Sequence, residues 1–468
     1  MPLAAGGTTT GVPGKKTTAV ACEKASSELE HQFQRIFAER HRTGQLDLEA
    51  VEMAIRSTVH QTGATALTEL LRFQPPNDDH RTVPCACGHA ANYEGMRSRP
   101  ILTAVGWARS DRPYYLCPEC HSGQFPADVQ LDIEKTDFSP GVRRMLAAVG
   151  SEAPFAQGRE QLNLLADLEV TTKTVERVAE SIGADIEARQ QQDIRSAKQL
   201  NLPVIAGPPI PYMYVQMDGT QLFVVKSETE GRAGRIPGQP ARTRECKLGA
   251  VFTQTDVDDQ GRPVRDDGST TYVGAIETAE DFGLRIYTEA WNRGWDRANI
   301  RVVMGDGSHW IWNIADQHFP GAIQIVDLYH AREHLWELVR KLYPADEAAQ
   351  KRWLIAKLDW LDNGKIEKLV AALRKLANSS TNPELAKTIR IEAEYFEGNQ
   401  ERMRYPTFRQ KNLFVGSGVI EAGCKTVIGS RLKHSGMFWT VRGANAIIAL
   451  RCSCISGKFE DYWEERAG

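Results

Sequence analysis

The pattern of apolar and polar positions divides the central part of the chain into stretches of strand period and stretches of helical period. Short apolar runs bounded by turn residues predict strands at residues 212–217, 221–225, 247–253 and 271–276. Beyond a predicted helix at 278–293, strands near 300–304 and 322–326 alternate with helices that begin near 308 and 328. Consecutive strands followed by such alternation predict a multidomain protein with an α/β domain.

Three acidic residues occupy distinctive places in this pattern. Asp218 in YVQMDGTQLFVV and Asp306 in IRVVMGDGSHW each follow an apolar run and precede glycine, whereas Glu421 opens a segment of helical period. Carboxylate oxygens are the ligands that Mg²⁺ prefers, and two ions can stabilise the attacking and leaving oxygens of a phosphodiester. The three acids therefore predict a metal-dependent phosphoryl-transfer site. For Asp218 alone, a hairpin turn is an equally good interpretation, because Asp-Gly is a common turn signal.

The order of elements around these acids resembles the ribonuclease-H-like fold of DDE transposases and integrases. A closer resemblance, to the ISKra-type bacterial insertion-sequence transposases in the wider group that includes Mutator-like elements, covers roughly residues 212–451. The stretches that carry it are MDGTQLFVV, KLGAVFTQ, VVMGDGSHWIWNIADQHFP, IVDLYHAREHLWEL and GSGVIEAGCKTVIGSRLKHSGMFWT.

The resemblance implies a role for five residues. Asp218, Asp306 and Glu421 match the DDE triad, and Asp327 and His330 match the Asp/Cys-x-x-His motif that follows the second catalytic aspartate in this group. Asp327 ends a strand expected beside the one leading to Asp306, so Asp327 and His330 are expected near the triad without being primary metal ligands. A role for His330 in capping or packing its helix remains an alternative.

The chain between Asp327 and Glu421 has an almost wholly helical pattern. This indicates an all-α insertion at 331–410 within a catalytic domain formed by 212–330 and 411–468, which the resemblance also implies. Trp353, Trp360 and Leu361 are expected to form the core of the insertion.

Basic residues are concentrated around the third acid. From Arg402 to Arg451 there are nine lysines and arginines and one acid, Glu421. Cations at such a place can hold phosphates while the acid binds metal, which predicts DNA-binding roles for Lys425, Arg431 and Lys433. An ordinary basic surface is the alternative interpretation.

Four cysteines predict a zinc ribbon at 81–127. Cys85 and Cys87 form one short pair, Cys117 and Cys120 form a second, and a β-rich stretch separates them. Four thiolates at such spacing are typical of a structural tetrahedral zinc site, with His89 or His121 as possible substitute ligands. The intervening stretch carries four arginines that could follow a phosphate backbone or serve the ribbon alone: Arg97, Arg99, Arg109 and Arg112.

The segment 128–201 has a helical period and predicts a helix-turn-helix region. Helices are expected at 141–149, 155–165 and from about 170 to 182, the last preceded by threonines that can cap it. In such motifs the second helix enters the major groove, which points to Lys173, Thr174 and Arg177 as DNA contacts. A supporting three-helix bundle is the alternative.

The remaining segments carry weaker signals. Residues 1–80 combine a Thr/Gly/Lys-rich leader with two amphipathic helices of unassigned function, at 25–42 and 47–61. Four prolines in 202–211 mark a linker, and 227–244 is predicted to be a basic loop that contacts DNA or is simply a hairpin.

Composition narrows the class of protein. The 468 residues predict more than one domain, the 41% hydrophobic content is sufficient for real cores, and the net charge of −3 argues against a uniformly basic surface. Nine cysteines, four of them in paired form, fit a reducing cytosol, and no apolar run approaches the ~18 residues needed to span a bilayer. A secretory signal is not apparent, so the expected location is the cytoplasm, with the bacterial nucleoid implied by the resemblance.

Other chemistries are disfavoured by the motifs that are missing. His330 and His334, with Asp327 one turn earlier, have a spacing that could hold zinc, but HAREH lacks the glutamate placement of a metallopeptidase. Neither a G-x-S-x-G elbow nor a P-loop occurs. The expected function is a transposase that requires Mg²⁺ or Mn²⁺, binds terminal inverted repeats and target DNA, and acts as a homo-oligomer. The alternatives are a non-catalytic DNA-binding derivative and a structure-specific nuclease of the same fold.

Overall fold

The computed structural model describes residues 15–43, 47–234 and 239–467, and the chain divides into two compact units. The first unit comprises Met1–Val178 and Trp463–Gly468, and the second comprises Ala179–Tyr462. The protein is therefore a multidomain α/β chain, as the periodicity predicts. Among the described helices, none combines the length and apolar character needed to cross a membrane.

The first unit contains helices and a four-stranded sheet. The strands pair antiparallel in the order β1-β2-β3-β4, and the long β2–β3 hairpin forms most of the sheet. The elements up to the division, which falls within α6, are α1 (Lys15–Thr43), α2 (Leu48–Leu70), β1 (Thr82–Pro84), β2 (Ala90–Thr103), β3 (Gly106–Leu116), β4 (Gly123–Gln124), α3 (Pro126–Gln130), α4 (Pro140–Glu152), α5 (Phe155–Ala166) and α6 (Thr172–Lys198).

The second unit is built on a five-stranded mixed sheet. Its strands lie in the order β9-β6-β5-β10-β11, in which β5, β10 and β11 are parallel to one another and β6 and β9 form an antiparallel meander with β5. The strands of this unit are β5 (Ile210–Phe223), β6 (Thr243–Gln254), β7 (Asp256–Val257), β8 (Pro263–Val264), β9 (Thr271–Ala275), β10 (Ala298–Gly305) and β11 (Ile323–Val326).

Eleven further α-helices are described after α6, and the division between the two units falls within the last of them. They are α7 (Ala279–Asn292), α8 (His309–His318), α9 (Leu328–Leu342), α10 (Glu347–Asp362), α11 (Ile366–Ser379), α12 (Pro383–Gly398), α13 (Tyr405–Gln410), α14 (Gly418–Gly423), α15 (Ser430–Leu432), α16 (Val441–Ile455) and α17 (Phe459–Ala467). A π-helix, Cys424–Gly429, joins α14 to α15.

The strand β5 differs from the expected pair of strands. Residues 212–217 and 221–225 were predicted to be separate, but β5 runs without interruption through Asp218, which pairs with Leu248 of β6. The hairpin-turn interpretation of Asp218 is therefore wrong. The ladder with the twelve-residue β6 satisfies the backbone on both sides of the Asp-Gly pair, and this outweighs its local turn preference.

One hydrophobic core joins the sheet to the helices α9 to α12. Met217 of β5 and Val303 of β10 belong to the same buried cluster as Leu361 and Phe396 from the helices. Trp353 and Trp360, expected in the core of the insertion, are only partly buried at its margin, where Lys357 lies 3.8 Å from the Trp360 ring centroid. The helices that follow β11 are thus packed on the sheet that carries the acids.

A buried arginine fastens the second half of α6 to α7 within the second unit. Arg285 is 2% exposed, and its guanidinium donates to both oxygens of Glu187, to both oxygens of Glu277 and to Gln190. Because every N–H of the fork has an acceptor, the cost of burying this charge is offset.

Candidate active site

Asp218 and Asp306 are brought together by neighbouring parallel strands. Gln216 of β5 pairs with Met304 of β10, and each aspartate lies two residues further along the chain. Asp218 is within β5, whereas Asp306 directly follows the last residue of β10. Because paired strands lie about 4.8 Å apart, the two carboxylates are close neighbours on this side of the sheet.

Burial raises the pKa of Asp218, and the negative charge of Asp306 raises it further. Two hydrogen bonds oppose this effect: the Gly219 N–H donates to Oδ1 at 2.7 Å, and the Cys424 thiol donates to Oδ2 at 3.3 Å. Because burial and a neighbouring carboxylate oppose the ionisation of Asp218, a cation would be stabilising in this environment.

Asp306 is held in a turn between β10 and α8. The Ser308 N–H donates to Oδ1 at 2.8 Å, and the Ser308 hydroxyl donates to Oδ2 at 3.0 Å. Gly307 has a φ of +100°, and a Cβ there would lie 2.6 Å from the ring of Tyr395, so glycine is required. The Tyr395 hydroxyl, from α12, donates to the Asp306 carbonyl at 3.0 Å. The helical segment after β11 therefore contacts the backbone of this acid.

Asp327 lies at the end of the strand next to β10, but its carboxylate accepts hydrogen bonds from the backbone. It follows β11 and is 1% exposed. Its Oδ1 accepts the His330 N–H at 2.6 Å and caps α9, while Oδ2 accepts the Ser417 N–H. Asp327 thus ties α9 to the segment that leads to Glu421.

Glu421 lies on α14 and is exposed, with its Oε1 accepting the Ser417 hydroxyl at 3.1 Å. The segment is fastened to the sheet by Gln216, which is fully buried. Its Oε1 accepts the Ile420 N–H at 3.0 Å, and its amide nitrogen donates to the Gly416 carbonyl at 3.5 Å. Sequence analysis missed Gln216, although a polar residue within an apolar strand two positions before Asp218 was a signal.

The π-helix that follows α14 directs Cys424 toward Asp218. Arg451 donates to the Val427 carbonyl at 2.7 Å, to the Thr426 carbonyl and to the Ser430 hydroxyl, and so satisfies oxygens of this wider turn. π-Helical turns are rare and occur often at functional sites. Here the turn keeps the helix after Glu421 in contact with the strand that carries Asp218.

The three predicted phosphate-binding cations have different surroundings. Lys425 is exposed, and Lys433 is exposed and donates to the Thr220 hydroxyl, two residues beyond Asp218. Arg431 is fully buried, with its guanidinium 5.3 Å from the ring centroid of Trp439. A direct phosphate contact by Arg431 does not fit this burial.

His330 and His334 line a cleft beside Asp306. His330 is partly exposed, and the ring of His334 is stacked on Tyr395 at 3.9 Å while its Nδ1 lies 2.8 Å from Glu392. With these partners, His334 and Asp327 do not make the zinc site that their spacing allows. The cleft has a volume of about 440 Å³, and its other lining residues include Ser308, His309, Trp312, Tyr395 and Arg402.

The four predicted zinc ligands come together. Within the described ranges, Cys85, Cys87, Cys117 and Cys120 are the one group of three or more histidine, cysteine or acidic residues whose ligand atoms all lie within 4.8 Å of one another. The carboxylates of Asp218, Asp306 and Glu421 are not so closely grouped in this structure.

The sulfur spacing fits a tetrahedral metal. The Sγ atoms of Cys85 and Cys120 are 3.5 Å apart, and those of Cys87 and Cys117 are 3.6 Å apart. Four sulfurs at about 2.3 Å from one zinc ion would be about 3.8 Å from each other. The Cys87 N–H lowers the pKa of the Cys85 thiol to about 7, which favours the thiolate that a metal requires. The cluster can therefore hold a structural metal ion such as zinc.

Two of the four arginines between the cysteine pairs are engaged within the first unit. Arg112 is 4% exposed and donates to both oxygens of Asp128, and Arg99 donates to Oδ2 of the same residue at 3.0 Å. These two side chains serve the fold and do not line a phosphate-binding face, whereas Arg97 and Arg109 are exposed.

The predicted helix-turn-helix residues lie at the start of α6. The turn after α5 contains Asp167 with φ of +56°, and the Thr171 hydroxyl accepts the Thr174 N–H at 3.1 Å. Lys173 and Arg177 are exposed, and Lys173 forms an ion pair with Glu176 at 2.7 Å. The helix continues to Lys198, well beyond the predicted end near 182.

No protein-family model matches the chain, and no curated protein matches it. Among solved structures, a chain of the Drosophila P element transposase strand transfer complex is similar with a TM-score of 0.30 and 8% sequence identity, over 71% of this chain and 95% of that chain.

Proposed function

We propose that this protein is a DNA transposase of the insertion-sequence kind, in which Asp218, Asp306 and Glu421 are the catalytic carboxylates. The observation that carries the proposal is the closeness of Asp218, within β5, to Asp306, directly after the parallel strand β10, with the helix of Glu421 fastened to β5 through Gln216. The sheet order, with the first strand between the second and the fourth, is the order expected of a ribonuclease-H-like domain. The motif resemblance to ISKra-type enzymes agrees with both features.

The donor set fits Mg²⁺ or Mn²⁺, which take oxygen ligands. When bound, two such ions would stabilise the attacking and leaving oxygens of an in-line displacement. The chain's own contribution is orientation. Ser308 fixes the Asp306 carboxylate, Gly219 and Cys424 fix Asp218, and Ser417 fixes Glu421.

Two successive nucleophiles complete the proposed reaction. Water cleaves the phosphodiester at the element end and frees a 3′ hydroxyl, and this hydroxyl then attacks a target phosphodiester and displaces its 3′ oxygen. Lys425 and Lys433 would hold phosphates near the carboxylates, and His330 would contact the target strand from the Asp306 cleft. No covalent intermediate with the protein is needed.

Recognition of the element ends is assigned to the first unit. The exposed start of α6, with Lys173, Thr174 and Arg177, would contact the terminal repeats, and the four-cysteine ribbon would hold its hairpin in place with zinc. Assembly of two ends requires more than one protomer, so a homo-oligomer on DNA is part of the proposal.

Replacing one acid tests the proposal. Asp306→Asn keeps the shape of the side chain but removes its charge, and we expect it to abolish strand cleavage while end binding stays within about twofold of wild type. Asp316→Asn, on the neighbouring helix α8, is the matched control and should cleave normally.

The alternatives give other outcomes. A wild-type protein that binds ends but never cleaves would be a non-catalytic DNA-binding derivative, and one that cuts branched DNA without joining ends would be a structure-specific nuclease. Normal cleavage by Asp306→Asn would remove the assigned triad.

A further inference from the structure

An exposed aromatic pair lies beyond Asp218 at the end of β5. Phe223 is 52% exposed and Phe438 is 61% exposed, and their ring centroids are 6.1 Å apart in an edge-to-face arrangement. Large apolar rings at this exposure leave apolar surface in water, which is costly unless something covers it.

The backbone under this pair is well fixed. Val224 and Trp439 form a parallel bridge in which the Trp439 N–H donates to the Phe223 carbonyl at 3.2 Å and the Val225 N–H donates to the Trp439 carbonyl at 2.9 Å. Trp439 itself is buried and donates from its ring to the Leu432 carbonyl at 3.1 Å. The two phenyl rings are therefore presented by backbone segments that a bridge of hydrogen bonds holds together.

Exposed cations lie on the segments that adjoin the pair. Lys433 contacts Thr220, and the Arg242 carbonyl accepts the Val224 N–H at 3.2 Å. Among the described residues, the acids on these segments include Glu230, which is exposed, and Glu228, whose carboxylate accepts the Val441 N–H at 3.0 Å. Glu245 of β6, which pairs with Gln221, forms an ion pair with Lys247 at 2.7 Å. The exposed cations of the strand end and its adjoining segments are Lys226, Arg232, Arg242, Lys433 and Arg442. The surface thus combines apolar ring faces with positive charge.

This combination suits unpaired nucleic acid. Cations can follow the phosphate backbone, while bases that are not paired can stack on aromatic rings whatever their sequence. In a paired duplex each base is already stacked on its neighbours, so fewer base faces are free to stack on these rings.

The pair is distinct from the carboxylate site. Phe223 lies five residues after Asp218, which is about 17 Å in an extended strand. Because side chains alternate between the two faces of a strand, Phe223 projects from the face opposite Asp218, whereas Thr220, which Lys433 contacts, shares the Asp218 face. The aromatic pair is therefore a separate contact surface at the end of β5.

We propose that Phe223 and Phe438, with Lys433 and Arg242, form a stacking platform for unpaired DNA bases at the end of β5. That the bound strand is DNA processed at Asp218 rests on the function proposed above, whereas binding of unpaired bases does not. The platform would hold a single strand that has separated from its complement.

The test compares two strands of equal length in excess chelator, so that no cleavage occurs. Fluorescence anisotropy is measured with a 12-nucleotide oligo-dT and with an abasic deoxyribose-phosphate strand. We expect wild type to bind oligo-dT about tenfold more tightly than the abasic strand, and Phe438→Ala and Phe223→Ala to lose that difference while abasic binding is unchanged. Phe438→Trp should retain it. Trp336→Ala, which removes another exposed aromatic ring from this unit, is the control.

Three results would overturn the platform. The first is that the wild-type protein binds both strands with equal affinity. The second is that Phe438→Ala binds oligo-dT as tightly as the wild-type protein does. The third is that Phe438→Ala loses self-association but keeps its DNA affinity, since the pair would then be a contact between copies of the chain. Asp306→Asn separates the two proposals, because it should bind oligo-dT normally. Base-dependent binding without metal-dependent cleavage would remove the transposase proposal alone, and cleavage without base-dependent binding would remove the platform alone.

Discussion

The buried side chain of Gln216 accepts the backbone N–H of Ile420 at 3.0 Å and so joins the strand of Asp218 to the helix of Glu421. These two residues are 204 positions apart in the chain. The same amide donates to the Gly416 carbonyl, so one side chain holds both ends of the turn that precedes Glu421.

Gln216→Met should therefore lower the cleavage rate more than it lowers stability. Methionine fills a similar volume but leaves the Ile420 N–H without its acceptor, so Glu421 loses its fixed position. We expect a fall in cleavage rate of about tenfold or more, since small misplacements of catalytic groups are costly, with unchanged affinity for DNA. Single-turnover cleavage and DNA binding, measured side by side, would check this.

A matched control exists in the same sheet. Gln254 is also fully buried, accepts the Tyr214 hydroxyl at 2.6 Å and donates to the Asn412 carbonyl at 3.0 Å. Gln254→Met should lose a comparable amount of stability and keep its cleavage rate. Equal loss of cleavage in both variants would show that Gln216 acts only through stability.

His330→Ala should reduce strand joining strongly while end binding and thermal stability stay close to wild type. The reason is that its N–H, not its ring, takes part in capping α9, and alanine retains that N–H. Joining is measured with a pre-cut element end, and Glu333→Gln serves as the control because Glu333 lies 3.4 Å from the His330 ring nitrogen and is exposed. A fully active His330→Ala protein would leave His330 a packing role.

The four-cysteine cluster should carry one zinc ion per chain. Cys117→Ser replaces a buried thiolate ligand with a poor one, so the metal and the local fold around β2 and β3 should be lost together. Metal analysis of freshly reduced protein checks this, with the exposed Cys22→Ser as the control that should keep its zinc. Reduced wild-type protein without metal would contradict the assignment.

Asp132 should make the stability of the first unit depend on pH. Burial favours its neutral form, but hydrogen bonds and charges from Arg466 and Arg143 outweigh burial and lower its pKa. A folded-state pKa below the unfolded value of about 3.9 stabilises the fold above that value, and the contribution is lost as pH falls through the folded pKa.

The Asp132→Asn protein should therefore have a lower melting temperature than the wild-type protein at pH 7, and this difference should shrink below about pH 4. Asparagine also tolerates the left-handed backbone at this position, where φ is +50°. Thermal melts between pH 7 and pH 3 measure the effect, with the exposed Asp79→Asn as control. A constant difference across this range would mean that the charge of Asp132 is not responsible.

The features that sequence predicts well are local ones. Hydrophobic period places β10, α8, β11 and α9 close to their actual bounds, because each segment's apolar face depends on its own spacing. The gathering of the four cysteines is likewise confirmed, since short pairs on turns need little help from distant chain to meet.

Errors arose where a distant partner decides the outcome. The local sequence at Asp218 is equally consistent with a turn and with a strand. The continuous ladder with β6, which is distant in the sequence, makes it a strand residue. Two roles were open for Arg112, and its hydrogen bonds to Asp128 favour the structural one. Arg431 was expected to bind phosphate, but it is buried against Trp439. Gln216 could be seen as a polar interruption, but its partner Ile420 could not be inferred from spacing.

The most direct test of the account is the metal requirement of DNA cleavage and joining by the wild-type protein. With an oligonucleotide that carries the element end, activity should appear with Mg²⁺ or Mn²⁺, be absent in excess chelator, and be inhibited by Ca²⁺, whose larger and looser shell misplaces the reacting oxygens. The same assay should give no product with Asp306→Asn. Full cleavage in excess chelator would contradict the assignment of Asp218, Asp306 and Glu421 as metal-binding catalytic residues.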